Sequence, residues 1–465
     1  MKTRTNGVLS RALRPGSWLA LVLALGTGCG EELPAFQNPE ELQKDADGVY
    51  SLSAGPAEVT IAGKRYCLRS YNGKLTAPTL RVPATGEPRQ IRVDLENRFQ
   101  SGHSMGGDGM DHAMSDLDIT NLHTHGLHVR PDMVADDSGF QSDNVLLQIN
   151  PGESKRYRFD IDEMREHQPG TFWYHPHVHG STAVQVVNGM AGALIIEGEV
   201  DGLAGIRDAT ERIFLLQQIP YDADGVKPLA DSETCDQSRL SINDIKLATK
   251  AKATLINGQL HPQLTVPPGQ VERWRFIHAG DSQYVNVSVF KAQKDDCSAR
   301  GALLSTMQQI AADGITFQKK EAKQKLLLAP GYRADVMFVA PTEEGTYCVM
   351  DDRSAELVQA NPKQAGIESA NLLAVVRVDK SAGPRTGGLP SDEDLSRVAP
   401  APLNCEGTTD TVQKVLFAQA KDGEGNPCEG NGFFNINCKA FSPGKPRVLK
   451  LGRTEDWLLS SETQD

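Results

Sequence analysis

Two short runs in this sequence have the residue types and spacing to do chemistry: Asn121-Leu-His-Thr-His-Gly126 and Thr171-Phe-Trp-Tyr-His-Pro-His-Val-His-Gly180. The stretch from Thr120 to Glu197 holds seven of the eleven histidines: His123, His125, His128, His167, His175, His177 and His179. The others are His103, His112, His261 and His278, and none follows His278. Neutral imidazole is the commonest metal ligand among side chains. On a strand, residues i and i+2 share a face about 6.6 Å apart, at ~3.3 Å rise per residue. His123 and His125 therefore project together, far enough apart to serve two metal ions, and His175 with His177 repeats the device. Each pair sits on a strand-forming flank and ends at a glycine. A lone pair of this kind reads as two solvent-facing histidines; two of them read as a metal site. His128 and His179 read as outer contacts of that site or as exposed side chains, and His167, His261 and His278 as ordinary residues.

The elements that must hold these histidines are strands. Val59-Thr-Ile-Ala62, Tyr66-Cys-Leu-Arg69, Thr79-Leu-Arg-Val82 and Ile91-Arg-Val-Asp-Leu-Glu-Asn97 alternate apolar with polar, the period of half-buried β-structure. Asn72-Gly73 and Pro83-Ala-Thr-Gly86 are turn signals between them. No amphipathic helix is evident, and 43 Gly and 26 Pro are scattered as in a turn-rich all-β protein. At 465 residues the chain is too long for one core and suits two or three domains. A net charge of −12 and a pI near 5.5 argue against a nucleic-acid partner.

Residues 1–28 read as a signal peptide. Lys2, Arg4, Arg11 and Arg14 are basic, and Trp18–Leu25 is an apolar run too short for a spanning helix. Gly26-Thr-Gly-Cys29 resembles a bacterial lipoprotein cleavage site, with Cys29 as lipid-bearing N-terminus and sole membrane attachment; an ordinary secretory signal cut nearby fits the same residues. Residues 29–48 are polar and acidic, a tether. In the oxidising compartment this implies, most of Cys67, Cys235, Cys297, Cys348, Cys405, Cys428 and Cys438 can pair. Seven is odd, so one is free or pairs with another chain; connectivity is not readable. Between Ser101 and Ser115, His103, Met105, Met110, His112 and Met114 crowd a Gly-rich loop. Thioether and imidazole together suit Cu(I); a plain flexible loop is the alternative.

The two histidine runs resemble the first and second copper motifs of the multicopper oxidases, the family of laccases, bilirubin oxidases and bacterial copper-efflux oxidases. Gln185-Val-Val-Asn-Gly-Met-Ala-Gly-Ala-Leu-Ile-Ile-Glu197, Ser142-Asp-Asn-Val145 and Pro151-Gly-Glu-Ser-Lys-Arg-Tyr157 fit the same pattern. The resemblance implies copper as cofactor, with His123 on the type 2 ion and His125, His175 and His177 on the type 3 pair. Asp137, four residues before Gln141, matches the acid that helps deliver protons to oxygen, though Asp136-Asp-Ser-Gly139 also reads as a turn. Ile256-Asn-Gly-Gln-Leu-His-Pro262, Pro268–Ile277 and Leu328–Val336 resemble the family's second cupredoxin domain, which binds no copper and acts as a spacer; His261 and Trp274 are then structural.

The expected fold is all-β: two complete cupredoxin-like β-sandwich domains, 49–200 with half the trinuclear copper site and 204–380, then a linker over 381–407 and the opening strands of a third over 408–465. The family's third and fourth copper motifs, with the His₂Cys ligands of a type 1 centre, have no counterpart here. The sequence is therefore expected to be truncated within the third domain. The family reaction, one-electron oxidation of phenolic or metal-ion substrates coupled to reduction of O₂ to water, then needs a second chain to complete that domain. The alternatives are a periplasmic or outer-membrane copper-sequestering lipoprotein and an inactive truncated product.

Overall fold

The alternating runs fold as the strands their period requires. The structure, a computed structural model, describes residues 33–85, 89–100, 117–161, 167–220, 226–236, 239–240, 253–281, 283–352, 371–401, 411–418, 435–439 and 455–461. A first sandwich is built from β1 (Tyr50–Ile61), β2 (Lys64–Tyr71), β3 (Ala77–Val82), β4 (Gln90–Asn97), β5 (His123–His125), β6 (Ser154–Asp160), β7 (Gly170–His175) and β8 (Gly192–Ile196). One sheet runs β2-β1-β4-β6 and the other β3-β8-β7-β5. Ile91, Val93 and Leu95 of β4 point into the core with Tyr157, Phe159, Phe172, Tyr174, Leu194 and Ile196, while Asp94 and Glu96 face water.

A second sandwich follows: β9 (Thr210–Ile219), β10 (Ala253–Ile256), β11 (Gln263–Val266), β12 (Val271–His278), β13 (Val285–Ala292), β14 (Arg300–Leu303), β15 (Met307–Ala312), β16 (Ile315–Lys323), β17 (Lys325–Leu328), β18 (Arg333–Val339), β19 (Gly345–Asp351) and β20 (Asn371–Val378). Its sheets run β10-β9-β12-β18-β15-β16 and β11-β20-β19-β13-β14, with β17 on β13. Trp274 lies fully buried at its centre, stacked on Phe338 at 3.9 Å between centroids, its indole N–H donating to Glu272. A third sheet pairs β21 (Thr411–Ala418) with β22 (Asn435–Ile436) and β23 (Glu455–Ser461). On β23, Trp457, Leu458 and Leu459 are 45%, 58% and 61% exposed, so neither face of that strand is covered among the described residues.

Two segments differ from their sequence reading. Residues 34–48, expected within a tether, lie across both sandwiches: Phe36 is buried against Phe214 of the second, and Leu42 N–H bonds Thr79 of the first. Phe36 and Leu42 supply enough apolar surface to hold an otherwise polar segment down. The expected linker contains a helix, Asp392–Val398, begun by Ser391, whose hydroxyl accepts from the Asp394 N–H, and anchored by the buried Leu395. Cys67 pairs with Cys235 and Cys297 with Cys348. Cys438 is also in a disulfide.

The sandwiches meet through the outer face of β7 and β8. Trp173, Ala191, Ala193 and Ile195 pack on Ile213, Leu215, Ile277 and Ala279 of β9, β12 and its exit. Beside this apolar patch, Asp335 accepts from the Thr171 hydroxyl at 2.5 Å, from Arg273 at 2.7 Å and from Arg275 at 2.9 Å. Arg275 also reaches Glu211 at 2.6 Å. Arg275 and Asp335 are buried charges, tolerable only because each has several partners.

Candidate metal centre

β5 is three residues long and, among the described residues, pairs only with β7, antiparallel, placing His123 opposite His175, Thr124 opposite Tyr174 and His125 opposite Trp173. Residues directly opposite in an antiparallel pair share a face. His123, His125 and His175 therefore converge, with one ring nitrogen from each lying within 4.8 Å of the others. The rings lean inward: the His123 and His125 centroids are 5.9 Å apart. One cluster is formed where the strand spacing alone suggested separated ions.

Hydrogen bonds decide which nitrogen each ring offers. His123 Nδ1 lies 3.0 and 3.1 Å from the two carboxylate oxygens of Asp143, which also accept the Thr124 N–H and hydroxyl at 3.1 Å each. An ionised carboxylate only accepts, so Nδ1–H donates and Nε2 keeps its lone pair. His175 Nδ1–H donates to the Pro176 carbonyl at 2.9 Å, which again frees Nε2. That Nε2 is 3.3 Å from His125 Nδ1, too close for two protonated nitrogens; the pair can share one proton or one cation.

The surroundings keep two of the rings, those of His125 and His175, unprotonated. Burial, then the Arg333 guanidinium and the neighbouring His123, push His125 down to about 4. Burial, then His123, hold His175 well below the usual histidine range, against a smaller opposing pull from the Pro176 carbonyl. Both are in the ligand form at neutral pH. The Trp173 indole stacks on His175 at 4.2 Å and on His125 at 4.8 Å, fixing both ring planes. Convergent imidazoles with a carboxylate behind one of them suit copper.

A model of the multicopper oxidase family matches residues 117–201, the span that carries this geometry. The chain is 23% identical to a multicopper oxidase of Staphylococcus aureus over 361 residues, covering 77% of this chain and 67% of that one. It is 22% identical to a laccase of Bacillus subtilis over 414 residues, 85% of this chain and 72% of the relative. The likeness to multicopper oxidases is therefore carried by residues 117–201 and by relatives of 22–23% identity.

In fold, the chain is similar to a multicopper oxidase from Campylobacter jejuni, described as a metallo-oxidase, with a TM-score of 0.62, 20% identity and 93% of this chain and 79% of the other covered. A laccase from Pediococcus acidilactici gives 0.62, 19%, 94% and 78%. These likenesses give no support to the expected truncation, since they run over most of the chain.

Of the four histidines expected as ligands, three converge. His177 lies beyond the end of β7, exposed at the rim, its ring 4.9 Å from that of His123 and 5.7 Å from that of His175. Asn121 sets its position: the side-chain oxygen accepts the His177 N–H at 2.6 Å, and the amide donates to the Val145 and Leu147 carbonyls. Asp137 is exposed on the Asp136–Gly139 turn; the carboxylate that touches the cluster is Asp143. His128 is exposed, and its backbone N–H donates to His167 Nε2 at 3.0 Å. His179 is exposed, and His278 is fully buried with Nε2 on the Gln283 carbonyl. His103, Met105, Met110, His112, Met114 and Cys29 lie outside the described residues.

Sequence reasoning missed Asp143, Asn121 and Arg333. Asn121 and Asp143 stood inside runs singled out for other reasons, and an acid or amide beside a histidine motif is the signal that finds them. Arg333 reaches the site from the second sandwich and carries no local signal.

Proposed function

We propose that this chain holds copper on His123, His125 and His175, with His177 joining from the rim, as the first-domain half of the trinuclear cluster of a laccase-like oxidase. The pairing of His123 with His175 carries this reading, because it brings both motifs to one face with their Nε2 lone pairs free. Bound copper supplies one-electron redox chemistry and the reduction of O₂. The chain's own part is to orient the ligands: Asp143 fixes the His123 tautomer, Pro176 that of His175, and Trp173 the planes of two rings. Asp143 is buried against a ligand and serves as the acceptor behind His123, while Asp137 is exposed on its turn.

These 465 residues contain no histidine beyond His278 and no cysteine adjacent to a histidine. In this reading the facing ligands and the His₂Cys electron port come from residues outside them, on the same or a second polypeptide. The polypeptide alone then takes up copper without oxidising phenols or metal ions. Export is part of the proposal, supported by the signal-like N-terminus and by disulfides of a kind rare in reducing compartments. Attachment through a lipid at Cys29 accompanies it; among the described residues no helix is long and apolar enough to cross a membrane.

The test is copper titration of the signal-free protein, followed by metal analysis and electron paramagnetic resonance. The wild type should bind copper with nitrogen hyperfine structure, and His123→Ala with His175→Ala should lose it. Unchanged copper uptake by the double variant would dispose of the reading.

A further inference from the structure

The wall of the cluster that faces the second sandwich carries a fixed positive charge. Arg333, at the start of β18, is only 6% exposed. Its Nε donates to the Thr171 carbonyl at 3.3 Å and its Nη1 to the Gly331 carbonyl at 3.0 Å. Its guanidinium lies 5.7 Å from the centre of the Phe172 ring. A Cβ added at Gly126, the residue after His125, would meet Arg333 Nη2 at 2.4 Å and Cζ at 3.2 Å. Three further charged groups bear on this one. Asp313 pairs with Arg333 Nη1 at 3.2 Å but is 44% exposed and so screened by water. Asp335, two residues along β18, is committed to Thr171, Arg273 and Arg275. Asp143 lies behind His123.

A cation beside a cation site has one electrostatic consequence. It disfavours every bound metal ion, and a divalent ion twice as much as a monovalent one. We infer that Arg333 sets the oxidation-state preference of the histidine cluster, biasing it toward Cu(I) over Cu(II). This rests on the proposal that the cluster holds copper. The difference between the two ions is one unit of charge. For one unit of charge between neighbouring buried groups, at an effective dielectric near 20, that is a selectivity on the order of tenfold to a hundredfold. The arrangement suits a centre that must be reduced before it meets oxygen.

The experiment measures Cu(I) and Cu(II) dissociation constants of the wild type, Arg333→Met, Arg333→Lys and Asp313→Asn by competition with chromophoric chelators, Cu(I) under anaerobic conditions. Arg333→Met should improve Cu(II) binding relative to Cu(I) roughly tenfold or more. Arg333→Lys keeps the charge and should hold the ratio within about threefold even where both affinities weaken. Asp313→Asn removes the screened counter-charge at a positive-φ position that Asn accepts, and should move the ratio about twofold the other way. It also keeps the test open if Arg333→Met does not fold. Equal changes in both affinities, or an unmoved ratio in Arg333→Met and Asp313→Asn, overturn the inference and leave Arg333 a positioning residue. A wild type that binds neither ion at the histidines overturns the copper reading itself, and this inference with it.

Discussion

Gly331→Ala perturbs the cluster from the second sandwich without replacing a ligand. Gly331 has φ +85°, and a Cβ there would lie 3.1 Å from His125 Cε1 and 3.3 Å from Nε2. Both distances are inside ordinary van der Waals contact, so the imidazole must retreat by a few tenths of an ångström. It has little room, since Trp173 stacks on it at 4.8 Å and His175 Nε2 stands 3.3 Å from its Nδ1. The left-handed backbone alone costs an alanine about 1–2 kcal/mol. A displaced ligand of this kind lowers metal affinity by roughly tenfold to a hundredfold. Gly63→Ala is the control: φ is +73° and a Cβ there meets nothing within 4 Å, so it carries the backbone cost alone. Denaturant unfolding should show similar losses for the two variants, while copper titration should weaken only for Gly331→Ala. Unchanged copper affinity in Gly331→Ala would refute the claim that this turn walls the site.

Other outcomes follow from the same geometry. Asp143→Asn should weaken copper binding about tenfold to a hundredfold, because an amide cannot hold the His123 Nδ1–H as a carboxylate does; titration against Asp137→Asn, expected to be silent, separates the two acids. The metal-free protein should lose stability as pH falls. His125 is depressed to about 4 from an ordinary value of 6.5, so the unfolded chain takes the proton first between those limits, and the contribution is complete only above 6.5. His175 shifts the same way, and the slope of unfolding free energy against pH, at most about 1.4 kcal/mol per unit for each proton, should be shallower in His125→Ala. Replacing Cys67 and Cys235 together by serine opens a loop of 168 residues, and by chain entropy should cost about 5 kcal/mol in denaturant unfolding measured without reductant.

What was legible in the sequence is what repeats locally. Period-2 runs such as Ile91–Asn97 marked strands correctly, and the two His-x-His pairs, each within three residues, pointed to the strands on which three histidines converge. What was illegible is what the chain brings together over distance. The register that sets His123 against His175 joins residues fifty-two apart, and no spacing within either motif dictates it. Asp143 carried no signal of its own beside the Asp137 that the resemblance picked out, and the backbone between them turns one outward and the other in. Phe36 was lost inside an acidic segment, since one aromatic ring makes no pattern. The helix at Asp392–Val398 is a single buried leucine on two turns, too short to show a helical period.

The second sandwich does more than space its neighbours. Thr171, Trp173 and His175 lie on one face of β7, and the second sandwich grips two of the three: Asp335 holds Thr171, and Ile213, Leu215, Ile277 and Ala279 bury Trp173. Pulling β7 away would strip Asp335 of a partner beside two buried arginines and expose that apolar patch, at a cost of several kcal/mol. β7 therefore has no slack, and His175 stands where the interface puts it before any metal arrives. His125 is clamped the same way, between Trp173 and the Gly331 turn. Preorganised donors lose little entropy on binding, so these histidines should take copper without rearranging.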